Sequence, residues 1–332
     1  MENQLPDREA LLSVRGLKKY FSVKGSGLFE PDKKVKAVDD ISFDLPAGKT
    51  LGLVGESGCG KSTLGRAVLR LIEPTGGSVF FEGQDVLGLG KEELRKMRRH
   101  FQIVFQDPYA SLNPRMTIGE MVEEPFLIQH VAGKKEAAER AGALLETVGL
   151  RREFAGRHAH EFSGGQRQRI SIARALALNP KLLVCDESVS ALDVSVQAQI
   201  INMMMRLQRE RHLAYLFISH DLRVVRHISD TIAVMYLGKV VEMADSEELF
   251  SHTMHPYSHS LLSAIPAADP HRKRERAILC GDVPSPVDPP SGCRFHTRCA
   301  QCQAICREQE PELRDNGGGH YCACHFAGQS GV

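Results

Sequence analysis

The 332-residue sequence contains no tryptophan, and aromatic residues make up only 6% of it. That shortage excludes nothing by itself. Other absences exclude more. No apolar run approaches the roughly 20 residues that a membrane-crossing helix needs, so membrane association would have to pass through a partner. Lys and Arg total 42 against 41 Asp and Glu, a formal net charge of +1. This leaves no broad positive field for nucleic acid. Residues 1–11 are polar and acidic, without the basic and apolar regions of a secretory leader. The chain is therefore expected to face the cytosol. Internal repeats and sustained heptads are missing too.

What is present is ordinary in bulk. Hydrophobic content is 42% and charged content 25%, typical of a soluble globular protein. The length accommodates one large domain and an appendage. The nine cysteines are uneven: Cys59 and Cys185 lie in the body, and Cys280, Cys293, Cys299, Cys302, Cys306, Cys322 and Cys324 crowd the end. A cytosolic chain is not expected to hold these as disulfides, and their clustering points to a metal or cluster site.

Strands are expected at 12–21, 36–45, 77–81, 101–105, 182–185 and 214–218, and a loop at 24–32. Helices are expected at 91–99, across 119–149 with a break near 130–133, and at 164–178 and 194–208. Residues 230–243 read as a hairpin around Leu237-Gly238-Lys239. This alternation implies an α/β fold with a parallel sheet covered by helices. After about Pro266 the composition changes. Pro284, Pro286, Pro289 and Pro290 suggest a linker or small irregular domain. The charge run at 271–276 reads as solvated surface rather than a lipid contact.

Between an apolar strand pattern at 50–54 and a helical pattern at 64–71 stand Gly55, Glu56, Ser57, Gly58, Cys59, Gly60, Lys61, Ser62 and Thr63. This is G-x-x-x-x-G-K-[ST] in the setting that gives it meaning. Glycines let the backbone turn its N–H groups inward as a nest for phosphate oxygens, and the next helix adds its positive dipole end. Lys61 would reach the β- and γ-phosphates, and Ser62 would ligate Mg²⁺. Cys59, at a helix N-terminus, is expected to have a lowered pKa, so that alkylation would block ATP binding. The alternative is a small residue tolerated in the loop.

Residues 182–187 end an apolar strand in Asp186 and Glu187, placing two acids at a sheet's carboxyl edge. Asp186 would hold Mg²⁺ through water, and Glu187 would polarise the attacking water. Ser163, Gly164, Gly165 and Gln166 open a second helix, another anion receptor. One nucleotide does not need two such receptors from one chain. A head-to-tail pair of subunits, each nucleotide between the phosphate loop of one and the Ser-Gly-Gly helix of the other, resolves this.

Taken in order, 55–63, Gln106, Ser163 to Gln166, Asp186-Glu187, Ser190-Ala191-Leu192-Asp193 and His220 resemble the Walker A, Q-loop, signature, Walker B, D-loop and H-switch of ABC-type ATPases. Residues 106–115, 192–197, His255-Pro256-Tyr257 and the cysteine tail narrow the resemblance to ATP-binding subunits of bacterial dipeptide and oligopeptide importers. The resemblance implies a P-loop NTPase cassette with a parallel core sheet, an antiparallel β subdomain and a helical subdomain at about 107–178. The cassette would span 1–253, and a small Cys-rich lobe 254–332. Phe21 resembles the aromatic that stacks on adenine, with Tyr20 as the alternative. Gln106 would complete the Mg²⁺ shell near the permease-facing surface. His220 would bond the γ-phosphate, Ser163 and Gly165 would reach the partner's nucleotide, and Asp193 would communicate across the dimer. Phe162 and Ser188 depart from the commonest residues without removing any catalytic group.

The same resemblance implies a [4Fe–4S] cluster on Cys293, Cys299, Cys306 and Cys324, with Zn²⁺ or free thiols as the alternatives; Cys302 and Cys322 are surplus to the family pattern and leave the exact ligand set open. It also implies two transmembrane permease subunits, a second and non-identical ATPase, an extracytoplasmic peptide-binding protein acting indirectly, no nucleic acid, and a peripheral position on the cytoplasmic face of the inner membrane. The cargo stays open between dipeptides, oligopeptides, nickel chelates and glutathione. A soluble ABC-type ATPase uncoupled from transport is the alternative class.

Overall fold

A computed structural model describes residues 10–23, 33–264 and 281–328. The expected loop at 24–32, the charge run at 271–276 and Cys280 lie outside the described residues. β1 (Ala10–Val23) and β2 (Lys33–Pro46) form a long antiparallel pair. β3 (Thr50–Val54) runs through the glycine-rich turn into α1 (Lys61–Val68). β4 (Gly76–Phe81) and β5 (Gln84–Asp85) complete a four-stranded antiparallel sheet in the order β2-β1-β4-β5. Next come α2 (Lys91–Met97), β6 (Phe101–Val104), α3 (Pro108–Ser111), α4 (Ile118–Ile128) and α5 (Lys134–Thr147). α6 (Gly164–Leu176) feeds β7 (Leu182–Asp186), and α7 (Val194–Arg211) feeds β8 (Ala214–Ile218). α8 (Leu222–Ile228) leads to β9 (Thr231–Tyr236), which turns into β10 (Lys239–Asp245). α9 (Ser246–Ser251) and α10 (Pro256–Ser263) follow, and later α11 (Ala304–Glu308), β11 (Arg314–Asp315) and β12 (Tyr321–Cys322).

The second sheet has eight strands in the order β11-β12-β10-β9-β3-β8-β7-β6. Its β9-β3-β8-β7-β6 part is parallel. β7 and β8 are buried at every residue, which is why they read as unbroken apolar runs. The strand's period of two divides their side chains between two cores. Leu182, Val184, Leu216 and Ile218 pack with Leu64, Ala67 and Val68 of α1. Leu183, Cys185, Tyr215 and Phe217 join Ile170 of α6 and Ile200 and Met204 of α7 on the opposite face. The main sheet is thus held from both sides, and its carboxyl edge is fixed in space.

The break expected inside 119–149 falls between α4 and α5. There His130 adopts a left-handed φ of 53°. A capping box starts α4: the Glu120 N–H donates to Thr117 Oγ1 at 3.3 Å, and the Thr117 N–H donates to Glu120 Oε2 at 2.8 Å. Among the described residues no helix is long and apolar enough to cross a membrane. The described part of 254–332 docks on the main sheet. β12 pairs antiparallel with β10, with Glu242 opposite Cys322. Phe295, 2% exposed, packs edge-on to Tyr236 at 5.3 Å between ring centroids. Phe295 thereby joins the same core as Tyr236 and Tyr257.

Gly52 marks where α8 closes on β3. A Cβ there would stand 2.4 Å from Ser229 Oγ and 2.5 Å from Val225 Cγ1. Gly52→Ala is expected to cost about 1–3 kcal/mol by overpacking, read as a lower urea midpoint. Gly76→Ala, with nothing within 4 Å of its Cβ position, should stay near wild type.

Candidate functional site

The glycine-rich turn is shaped by close backbone approach. Gly55 and Gly60 have φ of 152° and 108°. A Cβ on Gly60 would stand 1.9 Å from the Ala37 carbonyl oxygen, and one on Gly55 would stand 2.1 Å from that of Met235. Only glycine fits either position. Lys61 is 4% exposed and donates to the Gly55 carbonyl at 2.8 Å and the Glu56 carbonyl at 3.0 Å. Its charge is thus held over the turn, where α1 begins.

The β7 edge brings the expected acids to this loop. Ser62 Oγ donates to Asp186 Oδ1 at 2.5 Å, and Arg66 Nη2 stands 3.3 Å from Asp186 Oδ2. Asp186 is 1% exposed. Glu187 leaves the strand with a left-handed φ of 47°, a strained conformation for a non-glycine residue. Its carboxylate accepts from Gln106 Nε2 at 2.8 Å and lies 3.5 Å from His220 Nδ1. Lys61, Ser62 and Asp186 thus connect to one another through the loop and the β7 edge, with Glu187, Gln106 and His220 next along that edge. Ser62 Oγ and Asp186 Oδ1 are hard oxygen donors of the kind that suits Mg²⁺.

Ser163 caps α6 with Gln166: the Gln166 N–H donates to Ser163 Oγ at 3.4 Å and the Ser163 N–H to Gln166 Oε1 at 3.0 Å. Neither residue bonds to 55–63 among the described residues. Gly165 is buried, and its Cβ position is 2.3 Å from Val196 Cγ1, so it lets α6 pack on α7. Ser163 stays exposed. Asp193 caps α7, accepting from the Val196 N–H at 3.0 Å and Ser195 Oγ at 2.7 Å. The hydroxyl of Ser195, then the backbone N–H of Val196, holds its carboxyl below the usual range. The two aromatic candidates on β1 separate: Tyr20 donates its hydroxyl to Asp39, whereas Phe21 is 41% exposed with Lys19 Nζ 4.9 Å above its ring.

Cys59 departs from expectation. It is 4% exposed, and burial pushes its thiol up, only partly opposed by the Lys61 ammonium at 3.8 Å. Desolvation outweighs the helix terminus, and the thiol stays protonated. Near the other end of the chain, Cys293, Cys299, Cys306 and Cys324 line one cavity of about 20 Å³ with His255, His296 and His325, while Cys302 and Cys322 do not line it. Burial, and then the neighbouring Cys306, Cys324 and Cys299, push the Cys293 thiol up to about 12. Thiols are soft donors, the kind a soft metal centre takes. Among the described residues, no three His, Cys, Asp or Glu side chains stand in a metal-holding group.

Residues that sequence reasoning missed come from far along the chain. Arg298 forks onto Glu56 at 2.7 and 3.1 Å, and the Glu56 N–H donates to Tyr257 Oη at 2.9 Å. Arg294 bonds Asp39 and the Leu237 carbonyl. The only sequence signal for the arginines was their position beside Cys293 and Cys299.

Comparison with known proteins shows the family. Residues 38–190 match the ABC transporter family, and residues 241–306 match the oligopeptide/dipeptide transporter C-terminal region. The oligopeptide transport ATP-binding protein AppF of Bacillus subtilis (strain 168) is 54% identical over 96% of this chain and 98% of its own. The dipeptide transport ATP-binding protein DppF of Haemophilus influenzae is 51% identical over 98% of this chain and 99% of its own. The post-hydrolysis dimer of the ATP-binding cassette MJ0796, bound to ADP and Pi, aligns with a TM-score of 0.63 at 28% identity, over 71% of this chain and 98% of that one. The chain belongs to the ABC transporter ATP-binding proteins, in their oligopeptide/dipeptide branch.

The burial of Cys59 has a direct readout. Iodoacetamide at neutral pH should leave Cys59 unmodified in the folded protein and label it after denaturation, by peptide mass spectrometry. Fast labelling of the native protein at Cys59 would contradict its protonated, buried state.

Proposed function

We propose that the chain hydrolyses ATP and couples that reaction to the import of di- or oligopeptides through a membrane permease. The observation that carries this reading is Glu187, held between Gln106 and His220 at the edge that also presents Asp186 to Ser62. The backbone N–H groups of 57–63 and Lys61 receive the triphosphate, and Phe21, exposed beside the Asp39-bound Tyr20, stacks on the base. Ser62, Gln106 and Asp186 would hold Mg²⁺, which would supply neutralisation of the triphosphate's charge when bound. Glu187 takes a proton from water as its oxygen attacks the γ-phosphorus; the bond to the ADP oxygen breaks, releasing ADP and phosphate. His220 bonds the γ-phosphate and orients that water.

Ser163, Gly164, Gly165 and Gln166 complete the nucleotide site of a second protomer. Two observations support this: Ser163 is exposed and unconnected to its own phosphate loop, and the MJ0796 cassette is dimeric in its ADP- and Pi-bound form. Asp193, exposed at the start of α7, faces the same seam. The second protomer is a related but different ATPase. Two permease subunits meet the surface beside Gln106, where Tyr109 is 65% exposed with the Arg167 guanidinium 3.7 Å from its ring centroid. The complex sits on the cytoplasmic face of the inner membrane, and an external peptide-binding protein delivers cargo. The names of AppF and DppF favour peptides over nickel chelates or glutathione.

In the same reading, Cys293, Cys299, Cys306 and Cys324 would hold a [4Fe–4S] cluster, which would tie the C-terminal segment together. The support is their shared cavity and the separation of Cys302 and Cys322 from it.

Two experiments test these readings. In the assembled transporter, Glu187→Gln should lower turnover at this site by about 100-fold or more while ATP still binds, and Lys61→Ala should lose ATP binding. Unchanged turnover in Glu187→Gln would overturn the assignment. Anaerobically purified protein should be brown, losing its visible absorbance in Cys293→Ser but not in Cys302→Ser. A colourless, zinc-only preparation would reject the cluster.

A further inference from the structure

The phosphate loop carries a negative charge that the reaction does not use. Glu56 lies directly after Gly55, within the turn that receives the triphosphate. An uncompensated carboxylate there would repel a polyanionic ligand. Arg298 meets it with a two-pronged contact at 2.7 and 3.1 Å. The Arg298 side chain is 6% exposed and that of Glu56 24%, so water screens the pair weakly. The same residue is held a second time, through its N–H on Tyr257 Oη at 2.9 Å.

Arg298 is part of a short segment that grips the site in more than one place. Four residues earlier, Arg294 binds the Asp39 carboxylate and the Leu237 carbonyl. Asp39 in turn accepts from Tyr20, the neighbour of Phe21. The Leu237–Gly238 turn joins the loop directly, since the Gly238 N–H donates to the Cys59 carbonyl at 2.9 Å. Between the two arginines, Phe295 packs against Tyr257 at 5.4 Å between ring centroids.

We propose that the extension forms part of the nucleotide site, with Arg298 as a positioning residue that neutralises Glu56 and fixes the phosphate loop for the triphosphate. Arg294 steadies the base-stacking strand in the same way. The proposal rests on reading 55–63 as the ATP-binding loop, and Lys61→Ala tests that reading separately.

The expected results follow from charge. In the full-length protein within its complex, Arg298→Met should weaken ATP binding about tenfold, a typical coupling between linked sites. The loss should be smaller for AMP, which carries fewer charges. Adding Glu56→Gln to Arg298→Met should restore most of the ATP affinity, because the uncompensated carboxylate is gone. Arg298→Lys, which keeps the charge without the fork, should fall between. A purely structural arginine would lower the unfolding temperature and leave the affinity of the folded fraction unchanged, with no rescue by Glu56→Gln. That result would overturn the proposal. Should Arg298→Met not fold, the graded Arg298→Lys variant carries the same comparison, and wild-type affinity in it together with an unchanged ATP-to-AMP ratio would also refute the proposal. If Lys61→Ala binds ATP normally, the underlying reading fails. If it does not bind while the Arg298 variants do so normally, only the present inference fails.

Discussion

The site depends on one constraint: β7 is buried on both faces and therefore cannot shift. Leu182 and Val184 are locked into the core beneath α1, and Leu183 and Cys185 into the core beneath α6 and α7. A slip of one residue would exchange these two sets and force every side chain into the wrong layer. The strand consequently delivers Asp186 and Glu187 to one place. Asp186 meets Ser62 from α1, and Glu187 turns out with a left-handed φ toward Gln106 and His220. Residues at or just past the ends of β6, β7 and β8 meet Ser62 of α1 at this edge because the three strands are adjacent and parallel.

The loops around that edge gain their shape from the same packing. Gly55 and Gly60 are required by the carbonyls of Met235 and Ala37, which belong to β9 and β2. The phosphate loop is therefore clamped between the two sheets rather than free to choose its conformation. On the far side, Tyr257, Arg294 and Arg298 add contacts from the extension. A region whose composition suggests an appendage is thereby tied into the centre of the protein.

Much of this was legible in the sequence, for identifiable reasons. β7 and β8 announce themselves as unbroken apolar runs because both faces are buried. The α4–α5 break was visible in the glycine and polar residues near His130. The phosphate loop, the acid pair and the capped Ser163 helix are local patterns, each with its own spacing. The pairing of β12 with β10 was not legible, because a two-residue strand has no periodicity. Nor was the Glu56–Arg298 contact, which joins residues 242 positions apart. Which of Tyr20 and Phe21 bonds Asp39, and whether burial raises the Cys59 thiol, depend on tertiary packing, which adjacent residues do not encode.

The central claim is that each triphosphate is held at a seam between two protomers. The most direct measurement is a structure of the assembled transporter, hydrolysis-deficient and saturated with ATP and Mg²⁺. The account predicts Lys61 of this chain on the β- and γ-phosphates, with a Ser-Gly-Gly helix of the opposing protomer on the γ-phosphate, and Ser163 of this chain against the other nucleotide. A nucleotide enclosed by this polypeptide alone, with Ser163 facing solvent, would contradict it.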